Sequence, residues 1–477
     1  MALRRIALGI VALVAALSIA YAVALRVPSP VSLNYVEGFA QIDAQRVAAG
    51  SALYRNPASP PWTLHVYTPL YTFAVAAITS DFGSYAPGRL LSLGALLATA
   101  LLMGASGARR AGWVAWIIAG LYLSQPLLTQ WGAVVRPDNL AVFFSAVGVV
   151  CVERLSGLRG LLLAAVFFLL ALATKQSVGL GLLAAILFLL LQAPRRALVL
   201  VALVAVGALS TTLALEALSG NWFIFHTWTA NLAPFSLEKS LHLGGIFLRE
   251  HVPLVAAAFA VLIACGLQRR LSIHALWFAG AAVSTVASGR IGADTNYFLE
   301  SLAAAGFLLA NEWPVLRERF RARAPGWLET ALLTVAIAMA LFQARTLHAN
   351  YAWIEGAETR FLEARDRMRE KPGAILSDDA GLLVSLDRPL VYRPFAMTQL
   401  VYAGDFDPTQ LVQMLESGEF AFVVFEAVPG RGPSPARYTA EMRAALARNY
   451  RSEGRYRTFA NFEVYAPRRP GSLDPTL

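Results

Sequence analysis

Two acidic residues lie close to predicted membrane-spanning segments, where a charge is costly unless it is used or paired. Glu37 lies beyond the first apolar run, in the polar stretch 34–50, and Asp138 follows Pro137 where another apolar run begins. Each carboxylate could act as a general base, and two acids at one membrane face would suit an acceptor or a divalent metal ion. Both also have a structural alternative, because Asn34 and Glu37 are spaced as a capping pair and aspartate suits a helix N-terminus.

The predicted helix that carries Glu37 offers two further polar residues. Gln41 lies one turn beyond Glu37 and falls on the same side of the helix. Asp43 lies further along, about 240° around a helix of 3.6 residues per turn, and therefore faces elsewhere. We expect Asp43 to pair with Arg46 or to support packing, and Gln41 to line the side of the carboxylate.

Three basic residues flank or interrupt apolar stretches away from the predicted cytoplasmic loops: Arg136, Lys175 and Arg290. A lysine in an apolar stretch needs an anionic partner. Arginine binds a phosphate group as a planar fork, and lysine binds it as a point charge. Lys175 and Arg290 therefore predict a phosphate or pyrophosphate site, with an internal carboxylate such as Glu300 as the structural alternative.

The composition indicates a polytopic membrane protein. The chain has 477 residues, of which 57% are hydrophobic and 15% are charged, against about a quarter charged in soluble domains. Its net charge of +10 comes from short basic pairs between apolar segments, a pattern typical of membrane topology and not of nucleic-acid binding. The two cysteines lie in apolar runs, and the sequence has no Walker, Rossmann, zinc-protease or cysteine-rich metal motif.

Apolar segments of roughly 17–25 residues are long enough to span a membrane. Segment 67–83 has a shorter apolar part, so we predict that it lies in the interface or re-enters, and the N-terminal run reads as an uncleaved anchor. Alternating basic pairs then place the N-terminus in the cytoplasm and loops 26–66 and 217–251 on the outer face. About eleven spans are predicted: 6–25, 87–107, 111–130, 139–154, 160–174, 177–192, 197–216, 252–267, 271–289, 297–313 and 327–344.

The C-terminal part of the chain changes character. Residues 345–477 are polar, with strand-like runs at 373–379, 389–392 and 420–425 and helical stretches at 355–371 and 408–417. Alternating strands and helices predict a small α/β domain. The predicted fold is thus a mainly α polytopic membrane domain, 1–344, followed by a small extracytoplasmic α/β domain, 345–477.

Several short motifs together resemble the GT-C glycosyltransferases, most closely the bacterial branch related to protein O-mannosyltransferases and aminoarabinose transferases. The resemblance covers about residues 1–345 and includes the position of Glu37 in the first outer loop. It implies a GT-C-like fold and a polyprenyl-phosphate sugar donor used at the outer membrane face. The other motifs are Tyr67-Thr-Pro-Leu-Tyr71, Gly88-Arg-Leu-Leu-Ser92, Arg136-Pro-Asp138, Thr174-Lys-Gln176 and Asn296-Tyr-Phe-Leu-Glu300.

The mechanism that this resemblance implies is inversion at the anomeric carbon, with Glu37 as the base and Asp138 as a second acid. Lys175, Arg290 and Arg136 would bind the donor phosphate. A divalent metal ion is an open possibility, and the expected partners are the lipid-linked donor, membrane lipid and a lipid, glycan or protein acceptor, with no nucleic acid. The substrate-binding candidates are Gln41, His65, Tyr67 and Asn296.

The absence of eukaryotic sorting signals, together with an arginine- and alanine-rich composition, suggests a bacterial inner membrane. A polytopic transporter is an alternative function, although the sequence lacks the inverted repeats of many transporters. A non-catalytic envelope polysaccharide assembly protein is a further alternative.

Overall fold

The computed structural model describes residues 2–320, 327–428 and 432–468, and most of these residues are helical. The first half of the chain is a series of helices with short connections. The α-helices are α1 Ala2–Tyr21 (continued by a π-helix, Ala22–Arg26), α2 Tyr35–Ala48, α3 Leu70–Ile78, α4 Ala86–Ala111, α5 Trp113–Leu123, α6 Pro126–Gly132, α7 Asp138–Arg154, α8 Gly157–Thr174, α9 Leu180–Gln192 and α10 Pro194–Leu218.

The second half adds five more helices before the C-terminal domain begins. They are α11 Phe223–Thr227, α12 Leu237–Leu267, α13 Ile273–Ser284, α14 Leu299–Phe320 and α15 Trp327–Arg369, with 3-10 turns at Thr229–Asn231, Thr285–Gly289 and Thr295–Phe298. The C-terminal domain contains β1 Ile375–Ser377, α16 Ala380–Leu386, α17 Pro394–Ala403, α18 Thr409–Ser417, β2 Phe422–Val428, β3 Gly432–Pro433, α19 Ala440–Asn449, β4 Tyr450–Arg457 and β5 Asn461–Pro467.

Helices occupy all the predicted spans, but their lengths differ. Among the described residues, four helices are long and apolar enough to cross a membrane, namely α4, α8, α10 and α12. Helix α3 has nine residues and is about 14 Å long at 1.5 Å per residue, about half the hydrocarbon thickness. Its length agrees with a segment that does not cross, while the number of about eleven spans stays a prediction.

Two predicted boundaries differ from the structure. The loop predicted at 217–251 is largely helical, because α12 begins at Leu237 and continues without a break into the predicted span. The predicted domain boundary at 344 falls inside the single helix α15. Both differences arise because a helix can continue from apolar into polar sequence without a change in its backbone.

The helical bundle is held by close packing and by a charged cluster at the ends of α4, α7, α13 and α14. A Cβ atom on Gly107 of α4 would lie 2.4 Å from a carbonyl oxygen of α14, so these helices approach closely. Arg110 lies 3.0 Å from Glu153 and 3.3 Å from Glu312, and His274 lies 3.3 Å from Glu153. Glu153 lies near the end of α7 opposite Asp138, about 23 Å away along the helix axis.

The C-terminal sheet has the strand order β1-β2-β5-β4, with β3 added at β2. Strand β1 pairs with β2 in parallel, whereas β5 is antiparallel to both β2 and β4. The central strand β2 carries the run Phe422–Phe425, whose side chains are almost fully buried. A continuous apolar strand is expected where both faces of a sheet are covered.

The first loop of the membrane domain completes the core of the C-terminal domain. Phe39 and Ile42 of α2 belong to the apolar cluster on one face of the sheet, and Trp62 and Leu64 belong to the cluster on the other face. Gly38 is required where α2 meets α16, because a Cβ atom there would lie 2.4 Å from a backbone nitrogen. The domain predicted at 345–477 therefore shares its core with the loop predicted at 26–66.

Candidate active site

Four of the predicted site residues meet at the beginning of α7. Lys175 Nζ donates to Asp138 Oδ1 at 2.6 Å, and Asn296 Nδ2 donates to the same oxygen at 2.7 Å. Arg136 Nε donates to Asp138 Oδ2 at 3.0 Å. All four side chains are buried, and the two cations exceed the single carboxylate by one positive charge. We call Arg136, Asp138, Lys175 and Asn296 the cationic cluster.

Separate elements position these side chains. Asp138 is the first residue of α7 after Pro137, and Lys175 follows the last residue of α8. Asn296 lies in the 3-10 turn before α14. The structural alternative for Lys175, an internal carboxylate, is realised by Asp138, while Glu300 instead accepts hydrogen bonds from Trp277 and the amide of Gly181.

Aromatic rings surround the cations of this cluster. Lys175 Nζ lies 5.7 Å from the ring centre of Tyr67 and 5.4 Å from that of Tyr297. The guanidinium carbon of Arg136 lies 4.8 Å from the ring centre of Trp131, and its Nη2 donates to the Tyr67 hydroxyl at 3.1 Å. Ring faces stabilise a cation without neutralising it, so the cluster itself keeps one positive charge in excess. Asp294 and Glu300 are the further carboxylates whose charges interact with Arg136 and with Lys175.

A small cavity lies beside the cationic cluster. Tyr67 and Pro137 belong both to its wall and to the immediate surroundings of the cluster. Asp43 is the only carboxylate among the described residues that line it. The lining consists of Val36, Ala40, Asp43, His65, Tyr67, Thr68, Tyr71, Thr72, Pro137 and Arg393.

Asp43 is the centre of the polar contacts in this cavity. Its Oδ2 lies 2.8 Å from His65 Nδ1 and accepts from Arg393 Nη1 at 3.3 Å, and Arg46 lies 4.0 Å away. Burial alone would raise the pKa of Asp43, but the charges of His65, Arg393 and Arg46 outweigh it and hold the pKa below its usual value. The contact with Arg46 agrees with the sequence-based expectation. The sequence did not predict the contacts with His65 and Arg393, which line the cavity together with Asp43.

Glu37 lies behind the cavity wall and does not line it. Arg89 donates to both oxygens of its carboxylate, from Nε to Oε1 and from Nη2 to Oε2, each at 2.8 Å. The backbone amides of Leu33 and Val135 donate to the same carboxylate at 2.7 and 2.8 Å. The side chains of Glu37 and Arg89 are fully buried, and Asn34 caps α2 as its spacing predicts.

Two other predicted residues have contacts away from the cationic cluster. Gln41 Nε2 donates to the carbonyl oxygens of Phe82 and Ser84, both at 3.0 Å, so it anchors the connection after α3. Arg290 donates to the carbonyl of Asn231. His65 and Tyr67, by contrast, lie in the cavity wall as substrate-binding candidates.

The described residues do not offer a set of metal ligands. Within 2–320, 327–428 and 432–468, no group of three or more histidine, cysteine or acidic side chains could hold an ion. The oxygens of Asp138 and Glu37 already accept hydrogen bonds from cationic partners. The divalent metal ion left open by the sequence stays a prediction.

Sequence comparison gives no match to any protein-family model or to any curated protein. Structural comparison gives ArnT from Cupriavidus metallidurans in the apo state, with a TM-score of 0.65 and 15% identity over 96% of this chain and 98% of that chain. The chain has the ArnT fold. This result confirms the fold that the resemblance to GT-C glycosyltransferases and aminoarabinose transferases implies.

Two further solved structures are similar. ArnT from the same organism bound to undecaprenyl phosphate matches with a TM-score of 0.62 and 14% identity, over 98% of this chain and 99% of that chain. The Archaeoglobus fulgidus oligosaccharyltransferase in complex with Zn and sulfate matches with a TM-score of 0.51 and 12% identity, over 96% and 73% of the two chains. Likeness at these identities establishes the fold, so the activity is argued from the site.

Proposed function

We propose that this protein is a membrane glycosyltransferase that moves a sugar from a polyprenyl-phosphate donor to a lipid, glycan or protein acceptor. The proposal places the reaction at the outer face of a bacterial inner membrane, with a cytoplasmic N-terminus. It is supported by the fold, which is that of ArnT, a protein crystallised with bound undecaprenyl phosphate. It is also supported by the position of the cationic cluster beside a cavity.

The observation that carries the proposal is the excess positive charge of the cationic cluster. Lys175 and Arg136 are buried next to the cavity and share one carboxylate, Asp138. When the bond between the anomeric carbon and the phosphate breaks, the leaving phosphate gains charge. Preorganised cations at that position stabilise the transition state more than the ground state. Arg290 as a third phosphate ligand remains a prediction.

The roles of Glu37 and Asp138 as acids or bases come from the resemblance and remain predictions. The geometry favours a positioning role for both, because each carboxylate is held by buried cationic donors. Asp138 orients Lys175 and Arg136, and Glu37 fixes the first loop against α4. Both carboxylates already accept hydrogen bonds from these donors.

Replacing Lys175 with methionine tests the phosphate site. We expect a loss of about 10²–10³ in the rate of polyprenyl phosphate release, as for removal of one strong transition-state donor. The assay uses purified protein with undecaprenyl phosphate carrying mannose, glucose or aminoarabinose, and a panel of alcohol acceptors. Lys371→Met is the matched control, since Lys371 is largely exposed on the C-terminal domain.

The double variant K175M/D138N controls for stability, because Lys175→Met alone leaves the buried Asp138 with fewer partners. We expect this double variant to fold better than Lys175→Met and still to lose transfer. Full activity of Lys175→Met would refute the phosphate role. If the unmodified protein releases no polyprenyl phosphate from any donor, the transferase proposal fails and a transport or assembly role replaces it.

A further inference from the structure

His65 and Asp43 form a buried pair that opens onto the cavity. Both residues line the cavity, and both are nearly inaccessible to solvent elsewhere. His65 Nδ1 lies 2.8 Å from Asp43 Oδ2. An ionised carboxylate only accepts hydrogen bonds, so Nδ1 carries the hydrogen, and when the ring is neutral the lone pair lies on Nε2.

The free nitrogen of His65 faces a hydroxyl group. Its Nε2 lies 3.4 Å from Thr72 Oγ1, and Thr72 also lines the cavity. A hydrogen bond of this length is weak. The cavity is small, about 10 Å³, so it has room for a single hydroxyl group of an acceptor, which could take the place of Thr72 at Nε2.

A hydrogen bond from the His65 amide and the packing of neighbouring rings position this residue. The His65 amide donates to His226 Nδ1 at 3.0 Å, and His226 Nε2 lies 2.7 Å from the Arg55 carbonyl. Burial lowers the pKa of His226 to about 4, so this second ring stays neutral and its Nδ1 can accept. Tyr54 packs edge-on against both imidazole rings.

The carboxylates of Glu37 and Asp138 lack this freedom. Glu37 accepts four hydrogen bonds and does not line the cavity, and Asp138 accepts from three side chains. A general base must come within hydrogen-bond reach of the proton that it removes. Among these groups, His65 Nε2 combines a free lone pair with a position on the cavity.

We propose that His65 is the general base of the proposed sugar transfer and that Asp43 is its positioning residue. This inference rests on the proposed function. The acceptor oxygen forms a bond to the anomeric carbon while its proton moves to His65 Nε2. The bond between that carbon and the phosphate oxygen breaks, and polyprenyl phosphate leaves with the electron pair. Asp43 stabilises the resulting imidazolium, and the proton then passes to solvent.

Three substitutions test this assignment in the purified full-length protein: His65→Ala, His65→Gln and Asp43→Asn. Loss of a general base reduces kcat by about 10²–10⁴-fold, and we expect a loss in this range for all three. Binding of undecaprenyl phosphate alone should change less than about twofold, because Lys175 and Arg136 hold the phosphate. His242→Ala is the matched control, since His242 is exposed on α12 and should retain full activity.

Two measurements separate a base from a packing residue. Added imidazole should restore activity to His65→Ala and leave Asp43→Asn unchanged. The dependence of kcat on pH should also change in His65→Ala. His65→Gln keeps a donor toward Asp43 without a basic nitrogen, so it tests the role even if His65→Ala folds poorly.

The outcomes distinguish this inference from the proposed function. If the unmodified protein transfers sugar and His65→Ala or His65→Gln keeps more than about a tenth of kcat, the base assignment falls and the transferase stands. A loss that imidazole does not restore, with the dependence of kcat on pH unchanged, would assign the pair to packing and also overturn the base assignment. If the unmodified protein releases no polyprenyl phosphate, both proposals fail together.

Discussion

Replacing Glu37 with glutamine separates a catalytic role from a structural one. Each oxygen of the Glu37 carboxylate accepts two hydrogen bonds, one from Arg89 and one from a backbone amide. The amide group of glutamine accepts through only one of its two ends. Whichever oxygen is replaced, two buried donors lose their acceptor, and the guanidinium loses its counter-charge.

The cost of this change follows from the burial of the pair. Both side chains are fully buried, and removal of one partner of a buried ion pair costs about 3–5 kcal/mol. Arg89 also donates to the carbonyl oxygens of Arg26, Ser29 and Val31, each at 2.6 Å. We therefore expect Glu37→Gln to lower the free energy of unfolding by about 3–5 kcal/mol and Arg89→Met to lower it at least as much.

Denaturant unfolding in detergent measures both variants and their combination. The double variant should cost less than the sum of the single changes by about 0.5–3 kcal/mol, because the two residues interact directly. Glu416→Gln is the control: its pair with Arg448 is exposed, and its loss should cost under about 1 kcal/mol. If Glu37→Gln unfolds like the unmodified protein but abolishes sugar transfer, the structural argument is refuted and Glu37 is the base.

Two further predictions concern the C-terminal domain. Gly38→Ala should lower the free energy of unfolding by about 1–3 kcal/mol through overpacking, because the added Cβ would meet the backbone of α16. Gly94→Ala is the control, since a Cβ atom there would meet open space. Equal unfolding midpoints for the two variants would contradict the prediction. Burial raises the pKa of Asp379 to about 6, although Tyr456 and Gly381 donate to it. The folded state therefore binds the proton more tightly than the unfolded state, and this stabilisation, about 3 kcal/mol, is complete below about pH 4 and lost as pH rises to 6. Asp379→Asn should unfold at a higher temperature at pH 7 and lack this part of the pH dependence; identical pH profiles would disprove it.

The apolar pattern of the sequence predicted helix positions well wherever composition changes at a helix end. Helix α8 ends at Thr174, as predicted, and α9 ends at Gln192. Helices α12 and α15 were misjudged because each continues past the apolar run into polar sequence. Hydropathy reports the surroundings of a helix, whereas hydrogen bonding along the backbone determines its ends.

The site was predicted only in part, for a related reason. The sequence brought Arg136, Asp138 and Lys175 into consideration because buried charges in apolar stretches need partners. The helical angle correctly separated Asp43 from Glu37, but it gave no indication which of the two faces meets a cavity. That depends on His65 and on Arg393, which is 350 positions from Asp43 in the chain, and no local pattern connects them.

The shared core between the first loop and the C-terminal sheet has a consequence for biogenesis. A ribosome adding about 5–20 residues per second would release Arg393 roughly 20–70 s after Asp43. During that interval Phe39 and Ile42 have no sheet to pack against, so the apolar side of α2 would stay exposed. The cavity that Asp43 and Arg393 both line would therefore not form until the C-terminal part emerges, and a chaperone could bind the nascent chain at this stage.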